Sequence, residues 1–546
     1  MTHVNPRKHC DFGLLYLGTL SLMVGCSTQH TQSQLGNEWT QGATQDVTRD
    51  VSLPSVPDAQ PADANLADAI ALVQPPARPT GSLRFSVRET LTQALVAAHV
   101  VVRGVEGTLD PDLGPRNRAD GALQVRIAPT GEGTLTLPVG AYRVSFDHGP
   151  EWSIFSARVA ITEGTAQSLD ASIEHLLAMG DWTACDLHVH AERSFDSRVS
   201  IADRVASLTS VGIEFATPTE HNVVGDYRTG VEALPAAARG RQGASGPGLV
   251  WVPAVEVTTD RAEYPIGHFN VFPFRPTARR SDGGAPDPTL SATEIFRLAR
   301  ANTRDAIIQV NHPRMETNIG YFTRTALEPQ RNSSESPRYD PGYTAIEVFN
   351  GYYLGNPLEV DRVLHDWLDL LSSGARYVGT ANSDSHYIAY ETAGYPRTYV
   401  YTPRAGDASP TAARVLSALR NGHVFGTSGP MLTLAMGRAM MGDTVRLPPS
   451  AQSARVRVHL WAAPWIDVDL IEIYRDRELS ATIAVPTTEA IERMDIEVDI
   501  PLSQARHSVV AVARGDRPMN EVLPRLQARP FAFTNPLWIE RRIASH

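Results

Sequence analysis

Cysteine is scarce, with three in 546 residues, at positions 10, 26 and 185. So few thiols, so widely spaced, exclude a disulfide-stapled scaffold and a cysteine-rich structural zinc site. No cluster of lysine and arginine appears. The formal net charge of −11 and a pI near 5.9 argue against a nucleic-acid partner, which needs a basic stripe that releases counterions. The apolar run from Phe12 to Gly25 is shorter than the ~20 residues that span a bilayer. What remains is a chain with 42% hydrophobic and 20% charged residues. It is globular and long enough for more than one core, three folded units plus a tail.

Arg7 and Lys8 precede the apolar run, which suits the h-region of a signal peptide. It ends in Leu-Met-Val-Gly-Cys, which resembles the lipobox of bacterial lipoproteins, with Met23 where leucine is usual. The resemblance implies cleavage after residue 25 and a lipid on Cys26. It also implies a cell-envelope address, at the periplasmic or outer-membrane face, and the membrane as a partner. Cys10 would then be removed and Cys26 acylated, so no intrachain disulfide could form. Cys185 reads as a small buried filler rather than a nucleophile. Residues 27–79, rich in Gln, Thr, Ser, Ala, Asp and Pro, cannot bury enough surface to offset ordering entropy and read as a tether.

Residues 80–177 alternate apolar and polar in short runs broken by Gly, Pro and Asp, the pattern of a small antiparallel sandwich. The string G-T-L-T-L-P-V-G-A-Y-R-V is similar to the prealbumin-like sandwiches appended to secreted enzymes. From 178 to 405 strand-like runs alternate with helical stretches, which predicts an α/β unit with a parallel sheet. Ser200 with Asp203, and Ser291 with Glu294, read as N-caps, the second a full capping box. Pro357 and Gly374 bracket another helix. Residues 406–546 return to β character and predict a C-terminal sandwich.

Chemistry collects in the middle unit. His188 and His190 lie two apart in C-D-L-H-V-H-A-E-R-S-F-D, so on a strand both rings leave the same face and can close on one ion. Asp196 adds an oxygen donor a short loop later. Two histidines on one strand are often ordinary surface residues. The recurrence of histidine and acid at later strand ends raises the metal reading: Glu220-His221, Glu256, His268, His312, and Asp384 with His386. In parallel barrels the chemistry gathers at the carboxyl ends of the strands.

This ordered series, H-x-H, T-E-H, a lone Glu, His-Pro and D-x-H over about 225 residues, resembles the PHP (polymerase and histidinol phosphatase) superfamily. The strings GHFNVFP, VNHPR, ANSDSH, NGHVFGTSGP and FTNPLWI further resemble the branch that includes the carbaryl hydrolases. The resemblance implies a distorted (β/α)7 barrel with two or three divalent metal ions, here flanked by the two sandwiches. Carried over, His188, His190 and Asp384 would hold one ion, and Glu256 would bridge to a second bound by His312 and His268. Asp196, His221 and His386 would hold a third, with Asp196 where many members have histidine.

Imidazoles and carboxylates without thiolates suit Zn, Mn or Fe. Such ions can bring the pKa of a shared water toward neutrality and clamp both oxygens of a hydrolysed ester. The leading expectation is therefore a metal-dependent hydrolase of small-molecule phosphoesters, with Glu256 and Asp384 central to catalysis and Arg314 holding a substrate anion. The same site could hydrolyse carboxyl or carbamate esters or amides, and a non-catalytic metal- or ligand-binding surface protein is the alternative of another class. Asn350, Tyr352 and Tyr387 are expected in the pocket, and Glu220 beside His221 as its orienting carboxylate. Ser194 lacks a G-x-S-x-G elbow. His365 and His423 read as surface and loop residues.

Overall fold

The structure is a computed structural model that describes residues 78–235, 248–315, 319–404 and 410–541. The signal segment, Cys26 and residues 27–77 of the tether lie outside the described residues. Among those described, no helix is long and apolar enough to cross a membrane.

The first seven strands are β1 (Thr80–Glu89), β2 (Ala98–Val105), β3 (Val125–Ala128), β4 (Glu132–Pro138), β5 (Gly140–Asp147), β6 (Phe155–Ile161) and β7 (Ala166–Ile173). They form two sheets, ordered β4-β1-β7 and β3-β2-β5-β6. The alternating apolar positions Leu83, Phe85 and Val87 of β1 meet Val100, Val102, Val144 and Phe146 in a core of their own, as period-2 patterning requires. The expected antiparallel pattern has one exception, because β7 returns to pair with β1 in parallel.

The middle region contributes β8 (Trp182–Val189), β9 (Phe215–Pro218), β10 (Val250–Trp251), β11 (Val255–Thr258), β12 (His268–Phe272), β13 (Ile307–Val310), β14 (Ala345–Asn350), β15 (Val378–Asn382) and β16 (Arg397–Tyr401). Its helices begin where the caps predict. Ser200 accepts from the Asp203 amide to start Ile201–Ser210, and Ser291 and Glu294 make the reciprocal capping box of Ala292–Asn302. Pro357 opens Pro357–Ser372, and Gly374 follows at φ +98°, a left-handed turn that favours glycine.

One uniformly parallel barrel is not what the hydrogen bonds draw. β8, β9 and β10 pair in parallel at one end of a long sheet. A second sheet runs β11-β12-β13-β14-β15, antiparallel at β11-β12 and β12-β13 and parallel beyond. Two isolated parallel bridges, His221 to Glu256 and Val189 to Ser385, link the two sheets. The chain is mixed α/β and rich in sheet, because β12 follows β11 by a hairpin-like return rather than a crossover helix.

The last strands are β17 (Val424–Thr427), β18 (Met431–Met436), β19 (Ala439–Met440), β20 (Thr444–Leu447), β21 (Ser453–Trp461), β22 (Leu470–Arg475), β23 (Glu478–Ala484), β24 (Glu492–Pro501), β25 (Arg506–Arg514), β26 (Phe531–Thr534) and β27 (Leu537–Arg541). Seven of them extend the long sheet of the middle region. The ladder continues from β8 through β16, β17, β26, β25 and β22 to β23. β19-β18-β21-β24 forms a separate sheet. Phe533 of β26 packs 5.5 Å from Trp367. A Cβ on Gly379 of β15 would sit 3.0 Å from the Phe533 ring, and one on Gly426 of β17 would sit 2.5 Å away, so both glycines permit a close approach.

Candidate metal centre

The described residues bring all nine histidines and acids expected as ligands into one cluster at or beyond the carboxyl ends of β8, β9, β13 and β15, within β11 and at the start of β12. His188 Nε2 and His190 Nε2 each lie 3.1 Å from Asp384 Oδ1. Glu256 is fully buried at the centre, 3.3 Å from His188 Nε2, 2.8 Å from His221 Nδ1, 3.1 Å from His268 Nδ1 and 3.7 Å from His312 Nε2. Asp196 Oδ2 lies 3.1 Å from His221 Nε2 and 3.4 Å from His386 Nε2. Three groupings have donor atoms close enough to share an ion: His188, His190 and Glu256; His221, Glu256 and His268; and His190, Asp196, His221 and His386. They overlap at Glu256, His190 and His221.

Backbone turns after the strands aim these side chains. Asp384 and His312 stand at φ +50° and +26°, left-handed conformations that cost non-glycine residues of order 1–3 kcal/mol and cluster at functional sites. The 6.6–6.8 Å offset of an ideal strand therefore does not describe Asp384 and His386. β15 ends at Asn382, and the turn brings His386 Nδ1 within 2.8 Å of the Asp384 carbonyl. His386 nevertheless directs Nε2 at Asp196.

A buried frame holds these side chains. His188 Nδ1 donates to Glu347 at 2.9 Å, and Glu347 also accepts from Asn350, Asn382 and the His312 amide. Arg204, fully buried, donates to the His190 carbonyl and to Ser385. His268 Nε2 meets Asp260 at 2.8 Å, and the His386 amide donates to Glu391 at 2.7 Å. Sequence reasoning missed Glu347, Arg204, Asp260 and Glu391. The available signal for Glu347 was a carboxylate inside the apolar run Ala-Ile-Glu-Val-Phe.

Some of the other expected residues touch the cluster and some do not. Glu220 accepts from Ser194 Oγ at 2.8 Å and the Ala191 amide. Ser194 in turn meets His190 Nδ1 at 2.9 Å, so Glu220 steadies His190 rather than the His221 ring. Arg314 is ion-paired with Asp366 and packed over Phe322, contacts that serve the fold and give no support to an anion-holding role. Asn350 reaches Asp384 at 3.0 Å. Tyr352 is half-exposed with its ring 6.2 Å from His386, and Phe195 stacks on His221 at 4.7 Å. Tyr387 lies under the Arg116 guanidinium. His365 and His423 lie away from the cluster, on Asp361 and Asp443. Burial pushes the Cys185 thiol well above its ordinary value, against any nucleophilic role.

Burial opposes charge throughout the cluster, and partners decide each outcome. Burial raises Glu256 and Asp384, but the surrounding imidazoles outweigh it and hold both carboxyls well below their usual range. Burial lowers His188 and His221, yet nearby carboxylates win. His188 goes well above its ordinary value, and His221 is pushed up to about 10. His190, pressed by burial and by His386 and His221, is driven down. Protons thus occupy positions that a cation would compete for. The fit to cations has a geometric mark. His188 Nε2 and Glu256 Oε2 are buried without a hydrogen-bond partner although other donor atoms stand 2.8–3.5 Å away. Ligand atoms converging on an ion approach one another in that way, whereas a settled hydrogen-bond network would pair them.

No family model and no curated protein matches the sequence. Solved structures with likeness include a two-domain protein from Bacteroides vulgatus containing a predicted PHP-like metal-dependent phosphoesterase, at 16% identity and a TM-score of 0.32 over 65% of this chain and 95% of that one. An amidohydrolase from Chromobacterium violaceum matches at 14% identity and a TM-score of 0.25 over 43% of this chain and 96% of that one. A minor pilin from Streptococcus agalactiae matches at 12% identity and a TM-score of 0.16 over 18% of this chain and 45% of that one. At these scores the likeness fixes neither fold nor chemistry for this chain.

Proposed function

We propose that this protein is a metal-dependent hydrolase of small-molecule phosphoesters, held at the bacterial cell envelope by a lipid on Cys26. The observation that carries the hydrolase reading is the buried convergence of six histidines with Glu256, Asp384 and Asp196, in which His188 Nε2 and Glu256 Oε2 lack hydrogen-bond partners. The seven strands β8, β9 and β11 to β15 support a distorted (β/α)7 barrel, since isolated bridges link β8 to the turn after β15 and the segment after β9 to β11.

His188, His190 and Asp384 would hold one cation, Glu256 would join it to a second on His268 and His312, and Asp196, His221 and His386 would hold a third. Bound divalent cations supply Lewis acidity and bring a water's pKa toward neutrality. The chain's own residues do the rest. Glu347 and Ser194 fix the rings of His188 and His190 through their Nδ1 atoms, Glu391 holds the His386 backbone, and the half-exposed Tyr352 and Phe195 lie beside His386 and His221.

Metal analysis of the purified protein, with aryl phosphate, carboxylate and carbamate esters assayed side by side, tests the reading. Phosphoester turnover should vanish with chelator and return with Zn, Mn or Fe. Glu256→Gln should lose metal and turnover together, and Glu347→Gln should weaken metal retention by about 10- to 100-fold. Carboxylate or carbamate turnover without phosphoester turnover would transfer the proposal to acyl chemistry, and a metal-free, inactive wild type would end both. For the anchor, Cys26→Ser should move the protein out of the membrane fraction. A processed variant that still needs detergent would refute lipidation at that residue.

A further inference from the structure

Beneath the cluster the interior of the middle region is polar, where protein interiors are ordinarily filled by apolar side chains. Asn270 of β12, Gln309 of β13, Asn311 just after β13, and Thr380 and Asn382 of β15 are all fully buried. Buried amides persist where their hydrogen bonds are made, and here they are. Asn311 Nδ2 donates to Glu256 Oε1 at 2.7 Å and to Asn270 Oδ1 at 2.9 Å, and Asn311 Oδ1 accepts from Gln309 Nε2 at 3.0 Å. Gln309 Oε1 accepts from the Thr380 hydroxyl at 2.8 Å and from Asn382 Nδ2 at 3.4 Å. Asn382 Nδ2 also donates to Glu347 Oε1 at 3.0 Å, and Glu347 in turn holds the His188 ring.

An ionised carboxylate only accepts, so Glu256 at one end and Glu347 at the other set the orientation of every amide between them. Each polar atom of these five side chains has a partner, whereas Glu256 Oε2 and His188 Nε2 have none. The network is complete except where it meets the donor atoms of the cluster. Glu256 needs such a partner, because the terminal torsion of a glutamate is soft and its two oxygens face different neighbours. Oε1 lies 3.3 Å from His188, 3.1 Å from His268 and 3.7 Å from His312, and Oε2 lies 2.8 Å from His221 and 3.5 Å from His190. Rotation of the carboxylate about that torsion would take both oxygens out of these groups.

Asn311 is placed to oppose that rotation. Its backbone amide donates to the His268 carbonyl at 3.1 Å, its chain neighbour is His312, and its side chain holds Glu256, so one residue ties three candidate ligands together. A neutral amide orients the carboxylate without neutralising it, as a lysine or arginine there would, and leaves its charge to a cation. We infer that Asn311 is a positioning residue of the metal centre, whose side-chain amide fixes the plane of the Glu256 carboxylate so that its two oxygens serve two cations. The inference rests on the metal-dependent reading of the cluster and adds the group that makes Glu256 a bridge.

Manganese titrated into the whole protein by calorimetry, with electron paramagnetic resonance of the loaded protein, tests the inference. The wild type should bind at least two ions and show the exchange-coupled spectrum of a bridged pair. Asn311→Leu, which nearly keeps the volume and removes both donors, should weaken manganese binding by about 10- to 100-fold and lose the coupled spectrum. Thr209→Val removes a buried hydrogen bond to the Val205 carbonyl, outside the network. It should lower the melting temperature and keep both binding and coupling. If Asn311→Leu does not fold, Asn311→Ser, too short to hold Glu256, carries the same expectation. Uncoupled manganese in the wild type, wild-type binding and coupling in the Asn311 variant, or an equal loss in Thr209→Val would each overturn the inference alone. A wild type that binds no manganese, zinc or iron would overturn the metal-dependent reading beneath it.

Discussion

The two β-rich ends of the molecule relate to its centre in different ways. The N-terminal sandwich has a core of its own, built around Phe85, Val100 and Phe146. It meets the rest through the β2–β3 connection, through Val125 and Ile127 of β3, which belong to the central core, and through polar contacts. The Arg116 carbonyl accepts the Ile388 and Ala389 amides, Tyr399 donates to Glu151, and Trp465 donates to the Trp152 carbonyl. The C-terminal strands share both a hydrogen-bond ladder and a hydrophobic core with the strands that carry the candidate ligands. A module that owns its core can be an accessory, whereas strands that complete another region's sheet are part of that region's folding unit.

The largest expected effect follows from that contrast. Deleting residues 406–546 should abolish cooperative folding, because β16 loses its β17 neighbour and Phe533 leaves the Trp367 pocket. Deleting residues 78–177 should leave a folded protein with a lower melting temperature and retained metal. Calorimetry with metal analysis compares them, and equal damage from the two deletions would erase the distinction. At single-residue scale, Phe533→Ala and Phe146→Ala should each cost about 3–5 kcal/mol. Only Phe533→Ala should also reduce metal retention, since its ring supports β15 under Asp384.

The smallest effect concerns the seam between sandwich and centre. His148 is buried, and its Nδ1 donates to the Ser210 carbonyl at 3.0 Å. Burial lowers its pKa from 6.5 to about 4. The unfolded chain takes up a proton first as pH falls, so this contribution is present above about 6.5 and is lost between 6.5 and 4, for about 3 kcal/mol at most. His148→Gln should flatten that part of the stability profile in denaturant titrations. An unchanged slope would show that the ring is hydrated at the seam.

Much of the cluster was legible because its residues sit at strand ends, where histidine beside an apolar run is conspicuous. Helix starts were legible for the same local reason, as Ser200 and Ser291 carry their caps within three residues. Glu347 and Arg204 were not, since one carboxylate in a buried strand and one arginine in an amphipathic helix acquire meaning only from partners 159 and 181 residues away. Sheet continuity was hidden likewise. Alternation marks β17 and β26 as strands but does not say which edge they join, so the C-terminal region read as a separate sandwich. For Arg314, adjacency to His312 in sequence did not fix the direction of its side chain, which pairs with Asp366.

The two isolated bridges between the central sheets have a consequence for tolerance. His221 and Glu256 form one of them, and Val189 and Ser385, each next to two candidate ligands, form the other. The cluster is therefore shared across two joints and belongs to neither sheet alone. A slip of one sheet past the other by a single residue would move donors by about 3.3 Å, far beyond the ~0.2 Å that coordination distances allow. Insertions within either sheet should thus be far more disruptive than insertions in the loops outside the two sheets, and the joints set the precision with which the whole site must be assembled.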